Sequence, residues 1–260
     1  KEEKSAKKKG KKKPKKATID VYNADNEKIR TFSRKLKGGL NRFTWNLRED
    51  GIRYPSYREP KKGSDMPSGN EVFPGKYKVV VTYGENKDST VVDVILDPNL
   101  NVSVADMNAK AVVMAEMEAT VTKAKKAFDN LKTAKKTIKL VNSQIVNAPD
   151  STQKEIKELG KAMKDSLDNL MKLFTNPPNQ KGIQRAPNTL NGKISAAMYH
   201  IGSSVGKPGG NAINAKKNAE VHTQEVLDKV NAFFETDWKD YQKEVESIQY
   251  SLFKDIETID

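Results

Sequence analysis

The chain of 260 residues has no cysteine, and it has only two histidines, His200 and His222. The lack of cysteine excludes a disulfide framework and a thiolate metal site, and the usual zinc ligands and general bases are scarce. Neither histidine stands in a pattern typical of catalysis, so we interpret both as packing or surface residues. We predict no catalytic residue, no metal site and no cofactor.

Long apolar runs are also missing from the sequence. No stretch reaches the roughly 18 to 20 apolar residues that a membrane-spanning helix requires, so no membrane span is predicted. Carboxylate pairs such as Asp165 and Asp168 occur in lysine-rich segments of helical pattern, where ion pairs along a solvated helix face explain them without a catalytic cleft.

The net charge of +13 is concentrated at one end of the chain. Residues 1–16 contain ten lysines and two glutamates, a net charge of +8, which leaves +5 for the remaining residues. The run has no arginine for bidentate contacts and no aromatic ring for base stacking. We interpret it as a loop or linker and predict no specific nucleic-acid partner; electrostatic binding of nucleic acid or an acidic surface polymer is the alternative.

Apolar and polar residues alternate over much of residues 17–96, which predicts a small antiparallel β-sandwich. The predicted strands include residues 17–23, 42–47, 76–83 and 89–96, with turn signals such as Pro74-Gly75 between them. Residues 48–72 break the alternation with three prolines, and we predict a long loop there.

From Ser103 onward, apolar residues recur every three or four positions, which predicts amphipathic helices. Ser103 followed by Asp106 is typical of a helix start. The predicted helices cover about residues 103–145, 151–174, 190–205 and 214–259. Because each apolar seam is narrow, we expect the helices to pack together as an antiparallel four-helix bundle. The predicted fold class is α+β, with a lysine-rich loop at 1–16, a sandwich at 17–100 and a bundle at 101–260.

Three residues of the predicted long loop are candidates for contact with a ligand or a partner: Tyr54, Tyr57 and Arg58. The two tyrosines have two interpretations that the sequence leaves open. They pack in a core or dock on a neighbouring domain, or they face a ligand such as a glycan.

Two motifs resemble a known family. The motifs are Gly39-Leu40-Asn41-Arg42-Phe43-Thr44-Trp45 and Phe73-Pro74-Gly75-Lys76-Tyr77, and Leu96-Asp97-Pro98 follows them. They resemble the FlgD-like or fibronectin-like sandwich near the carboxy terminus of sortilin-like, BNR-repeat glycosyl hydrolase-like proteins of Bacteroidota. The resemblance covers nearly the whole chain, in layout more than in motif for the helical half. It implies a parent with a signal peptide and upstream β-propellers, located in the periplasm, at the outer membrane or outside the cell.

The lack of a recognisable catalytic or metal-binding motif and the resemblance together predict a non-catalytic structural and protein-interaction module. The expected partners are the upstream β-propeller domains of the same protein or another cell-envelope protein. The alternative is a carbohydrate-active protein, in which this region contributes Tyr54, Tyr57 and Arg58 to glycan binding or to a glycoside hydrolase cleft.

Overall fold

The computed structural model describes residues 16–178 and 188–248, except for the side chain of Asn147. These residues fold into two compact units. The sheet unit contains residues 16–51 and 62–100, and the helical unit contains residues 52–61 and those after 100. The predicted α+β class is confirmed. The lysine-rich residues 1–15 and the predicted helical residues 249–259 lie outside the described ranges.

The sheet unit is built from two antiparallel sheets. The strands are β1 (Lys16–Tyr22), β2 (Lys28–Lys35), β3 (Arg48–Asp50), β4 (Ser68–Glu71), β5 (Gly75–Tyr83) and β6 (Asn86–Val94). Four of them form one sheet in the order β2-β1-β5-β6, and β3 pairs with β4. Since the second sheet has only these two short strands among the described residues, the complete sandwich remains a prediction.

The register of the larger sheet brings several apolar side chains together on one face. Ile19 of β1 lies opposite Phe32 of β2 and Val81 of β5, and Val21 lies opposite Val79. Because side chains alternate between the two faces of a strand, these residues share one face with the buried ring of Tyr77. Alternation along β1 and β5 therefore predicted this face correctly, but it did not predict that Val80, on the opposite face of β5, is also buried.

The motifs that carry the family resemblance have structural roles in this unit. The ring of Trp45 meets the ring of Tyr77 edge-on, with 5.4 Å between centroids. The indole N–H of Trp45 donates to the carbonyl oxygen of Arg48 at 2.9 Å, and the Tyr77 hydroxyl donates to the carbonyl oxygen of Phe73 at 2.7 Å. Each ring is thus packed while its polar atom has a partner, which is how a core holds these residue types.

Two predictions for residues 42–72 are wrong. Residues 42–47 are not a strand, and the backbone is left-handed at Leu47, which has a φ of 55° and is 42% exposed. Residues 48–72 are not one long loop, because they contain β3 and β4. The backbone at Gly51 and Gly69 approaches so closely that a Cβ on Gly51 would lie 2.9 Å from the Cα of Gly69. No side-chain pattern of period two signals such a pairing of short strands.

Arg30 of β2 anchors the smaller sheet. Its side chain is buried, and one guanidinium nitrogen, Nη1, donates to Asp50 Oδ1 at 2.8 Å and to the carbonyl oxygen of Pro67 at 2.7 Å. Nη1 also approaches the carbonyl oxygens of Glu49 and Met66 at 3.3 Å. These four acceptors, from β3 and from the chain entering β4, offset the burial of the charge, whereas the buried Nε has no hydrogen-bond partner among the described residues.

The helical unit contains the helices α1 (Val104–Gln144), α2 (Asp150–Phe174), α3 (Leu190–Gly202), α4 (Gly210–Glu235) and α5 (Asp237–Ser247), with a 3-10 turn at Ile145–Asn147. The predicted start of α1 is confirmed: the Ser103 hydroxyl accepts from the backbone N–H of Asp106 at 3.1 Å. The helices share one core, which includes Phe128, Leu167, Ile194 and Val226. None of the described helices is long and apolar enough to cross a membrane.

The last predicted helix is not continuous. The chain breaks at Thr236, with φ −116° and ψ −86°, and this break divides α4 from α5. The Thr236 hydroxyl donates to the carbonyl oxygen of Ala232 at 2.8 Å, but threonines inside α1 and α4 make the same bond without a break, so it does not by itself explain this one. Helix α3 also ends at Gly202, before the predicted residue 205. A four-helix bundle is accordingly not established by the described residues.

Candidate functional site

The candidate residues Tyr54, Tyr57 and Arg58 lie in Ile52–Lys61, which we call the docking segment because it packs in the helical unit. The segment has no helix and no strand. Pro55 and Pro60 account for this, since proline lacks a backbone N–H and disfavours the α conformation of the residue before it. The segment is irregular, with a bend at Tyr57 and Arg58.

Tyr57 is the aromatic anchor of the docking segment. Its ring stands perpendicular to that of Phe128 in α1, with 5.3 Å between centroids, and Phe128 in turn meets Phe174 of α2 at 5.4 Å. Burial, with a smaller contribution from the Asp168 carboxylate, raises the pKa of Tyr57 to about 12. The hydroxyl therefore stays protonated at neutral pH, and the ring serves as a packed side chain.

Tyr54 and Pro55 extend this contact toward α3. Tyr54 packs against the same core as Ile52, and burial, followed by the charge of Glu118, raises the pKa of its hydroxyl. Pro55 is buried, and its carbonyl oxygen accepts from Asn191 Nδ2 of α3 at 2.8 Å. Because this segment is in neither a strand nor a helix, the asparagine supplies the hydrogen bond that a buried carbonyl requires.

A polar contact fastens the other end of the segment. Glu59 accepts from Lys132 of α1 at 2.6 Å, and Lys136 lies 3.7 Å away. Lys132 Nζ also reaches the carbonyl oxygen of Ser56 at 3.4 Å. The hydrogen bond from Lys132, more than the charges of the nearby lysines, lowers the pKa of Glu59. One lysine from α1 thus holds both a side chain and the backbone of the segment.

Arg58 differs from the two tyrosines. It is exposed, and its backbone N–H donates to the Ser56 hydroxyl oxygen at 3.1 Å, which closes a local turn. The structure therefore does not bring the three predicted residues to one concave surface. The tyrosines face the helical core, and Arg58 faces solvent.

Lys132 and Asn191 are the site residues that sequence reasoning missed. They lie 76 and 136 residues from their partners in the docking segment, and each occurs within an ordinary helical pattern. The only signal was chemical: an acidic residue in the loop, and many lysines on the helices. That signal does not choose one lysine among many.

A serine motif lies at the end of α3. Residues 202–206 read Gly-Ser-Ser-Val-Gly, which matches the Gly-x-Ser-x-Gly pattern of hydrolase nucleophiles. That chemistry requires a strand before the serine, whereas Ser204 follows helix α3. Its hydroxyl donates to the carbonyl oxygen of His200 at 3.1 Å, and its own carbonyl accepts from Lys110 Nζ at 2.8 Å. The lysine places a cation at the carboxyl end of α3, where it satisfies free carbonyls.

The other polar candidates also take part in contacts within the helical unit. Asp168 of α2 pairs with Lys135 of α1, and Glu116 of α1 pairs with Lys216 of α4 at 2.9 Å. His222 pairs with Glu225 at 3.1 Å on α4. Within residues 16–178 and 188–248, no three acidic or histidine side chains are grouped as metal ligands would be.

Comparison with known proteins adds no relative. No family model, no curated protein and no solved structure matches the chain. The resemblance to sortilin-like proteins therefore stays an expectation.

Proposed function

We propose that this chain is a non-catalytic structural and protein-interaction module. The observation that carries the proposal is the anchoring of the docking segment. The ring of Tyr57, the carbonyl oxygen of Pro55 and the carboxylate of Glu59 each have a partner on α1 or α3, and Tyr54 packs against the same core. Rigid aromatic anchors with a polar rim are the features by which proteins hold an extended peptide.

The same contacts argue for a structural role of the tyrosines. A sugar platform needs a ring face open to solvent, but the Tyr57 ring directs its contact to Phe128 and is partly buried. A general acid or base needs a pKa near the working pH, and the pKa of Tyr57 is about 12. The helical unit uses these side chains to hold its own chain.

The parent protein and its location are part of the proposal. We take the resemblance to mean that the chain serves near the carboxy terminus of a sortilin-like, BNR-repeat protein, in the periplasm, at the outer membrane or outside the cell. Its partners there are the upstream β-propellers or another envelope protein. The support is that Trp45 and Tyr77, which carry the resemblance, form the core contact of the sheet unit. Sequencing the full reading frame tests this part.

A glycan-binding screen with three variants separates the module from the carbohydrate-active alternative. We expect the wild-type chain to retain no glycan, Tyr57→Ala to lower thermal stability, and Tyr57→Phe and Arg58→Ala to leave stability unchanged. The alternative predicts that the wild type binds a glycan and that Tyr57→Phe or Arg58→Ala abolishes binding in a folded protein. That second pattern would refute the proposed function.

A further inference from the structure

The outer edge of β6 is open among the described residues. β6 pairs with β5 along its whole length, and no described strand pairs with its other side. All eight residues 86–93 are exposed, and the exposed fractions of Val91 and Val92 are 61% and 37%. The strand contains no proline. A long edge with exposed β-branched residues is a template for pairing with another strand.

The opposite edge of the sheet, β2, is closed in a different way. The backbone N–H of Thr31 donates to Asp50 Oδ2 at 3.2 Å, and that of Ser33 donates to Asp65 Oδ1 at 3.0 Å. Carboxylates therefore occupy the positions that a further strand would use. On β6, the N–H of Ser89 donates to the carboxylate of the neighbouring Asp88 at 2.7 Å. This carboxylate is exposed, so it can rotate away and bond to water instead. The two edges are thus unequal, and β6 is the one available for pairing.

The residues of β6 are complementary to a second, antiparallel copy of the same strand. If two copies pair with Thr90 opposite Thr90, then Lys87 of each copy lies opposite Asp93 of the other, and Ser89 lies opposite Val91. The Lys87–Asp93 pair therefore forms twice by symmetry. A register shifted by two residues, the smallest shift that keeps hydrogen-bonded positions opposite one another, would set Lys87 opposite Val91 or Ser89 opposite Asp93 and would lose both ion pairs. Lys76 already lies 3.0 Å from Asp93 within one copy, and both side chains are exposed, so a second cation can approach.

We propose that β6 is an interface between two copies of this chain. The strands pair antiparallel about a two-fold axis at Thr90, and they join two four-stranded sheets into one of eight strands. An isologous contact of this kind satisfies the rule that a self-complementary patch closes as a dimer. The contact area of a strand edge is small, so the dimer is weak.

Sedimentation of the full chain between about 1 and about 500 μM tests the interface. We expect the wild type to dimerise in this range. Lys87→Asp alone and Asp93→Lys alone each set like charges opposite one another twice, so each weakens self-association roughly tenfold. An equimolar mixture of the two variants restores opposite charges at both pairs and associates as the wild type does. A monomer at every concentration, or a dimer whose dissociation constant neither substitution changes, overturns the proposal.

A cross-link tests the register. Because the chain has no cysteine, Thr90→Cys introduces a single thiol. Residues directly opposite one another have Cβ atoms about 4.5–5.5 Å apart, so a small backbone shift allows a disulfide. Two copies of Ser89→Cys would instead lie diagonally across the strands, about 7–8 Å apart. We expect oxidised dimer from Thr90→Cys and little from Ser89→Cys. Equal yields, or a monomer whose β6 amides are protected from hydrogen exchange by another segment, contradict the proposed pairing.

Discussion

Truncation of Tyr57 to alanine perturbs the docking segment at its aromatic anchor. Complete burial of an aromatic side chain is worth about 3–5 kcal/mol against alanine, and an edge-to-face pair adds about 0.5–1.5 kcal/mol. Tyr57 is only partly buried, so about half of the first figure applies. We expect the free energy of unfolding of the helical unit to fall by about 2 kcal/mol.

Thermal unfolding followed by circular dichroism at 222 nm measures this change, since α1 to α5 dominate that signal. A loss of about 2 kcal/mol lowers the Tm by about 4–8 °C for a unit of this size. Two controls define the cause. Tyr57→Phe keeps the ring on Phe128 and should shift the Tm little, and Tyr199→Ala removes a ring that is 71% exposed and should also have little effect. If Tyr57→Ala behaves like Tyr199→Ala, the segment is not anchored as described.

Three further predictions concern the turns, caps and charges. Gly51→Ala should destabilise the sheet unit because its Cβ would lie 2.8 Å from a backbone oxygen, whereas Gly38→Ala meets nothing within 4 Å and should be neutral; urea unfolding compares them. Ser103→Ala removes the α1 cap and should cost about 1 kcal/mol of unfolding free energy, measured in the same way. Glu59 has a lowered pKa in the folded protein, so its pairing with Lys132 stabilises above the unfolded pKa and is lost as the pH falls through the folded pKa. The stability difference between wild type and Glu59→Gln should shrink toward acid, and a pH-independent difference would contradict the pairing.

Local chemistry made part of the fold predictable. The Ser103 and Asp106 pair located the start of α1, and alternation located β1 and β5, because each signal depends on residues a few positions apart. The break at Thr236 was not predictable from the apolar seam, which continues through it. Periodicity reports which face is apolar and does not report whether the backbone remains hydrogen-bonded.

The sequence singled out Tyr54 and Tyr57 but predicted neither their contacts nor the further site residues Lys132 and Asn191. Tyrosines in a proline-rich loop are unusual enough to single out, and Tyr54 and Tyr57 did prove to be ordered by packing. Their partners could not be found, because Phe128 and Asn191 are distant in sequence and have the pattern of ordinary helix residues. Whether a loop aromatic meets a ligand or its own chain is decided by tertiary packing.

A double-mutant cycle between Tyr57 and Phe128 tests the anchoring of the docking segment most directly. Tyr57→Ala, Phe128→Leu and the double variant are compared with the wild type by chemical unfolding. Since the two rings meet at 5.3 Å, the account predicts a coupling free energy of about 0.5–1.5 kcal/mol. Effects that add to within about 0.3 kcal/mol would show that the rings do not interact, and would contradict it.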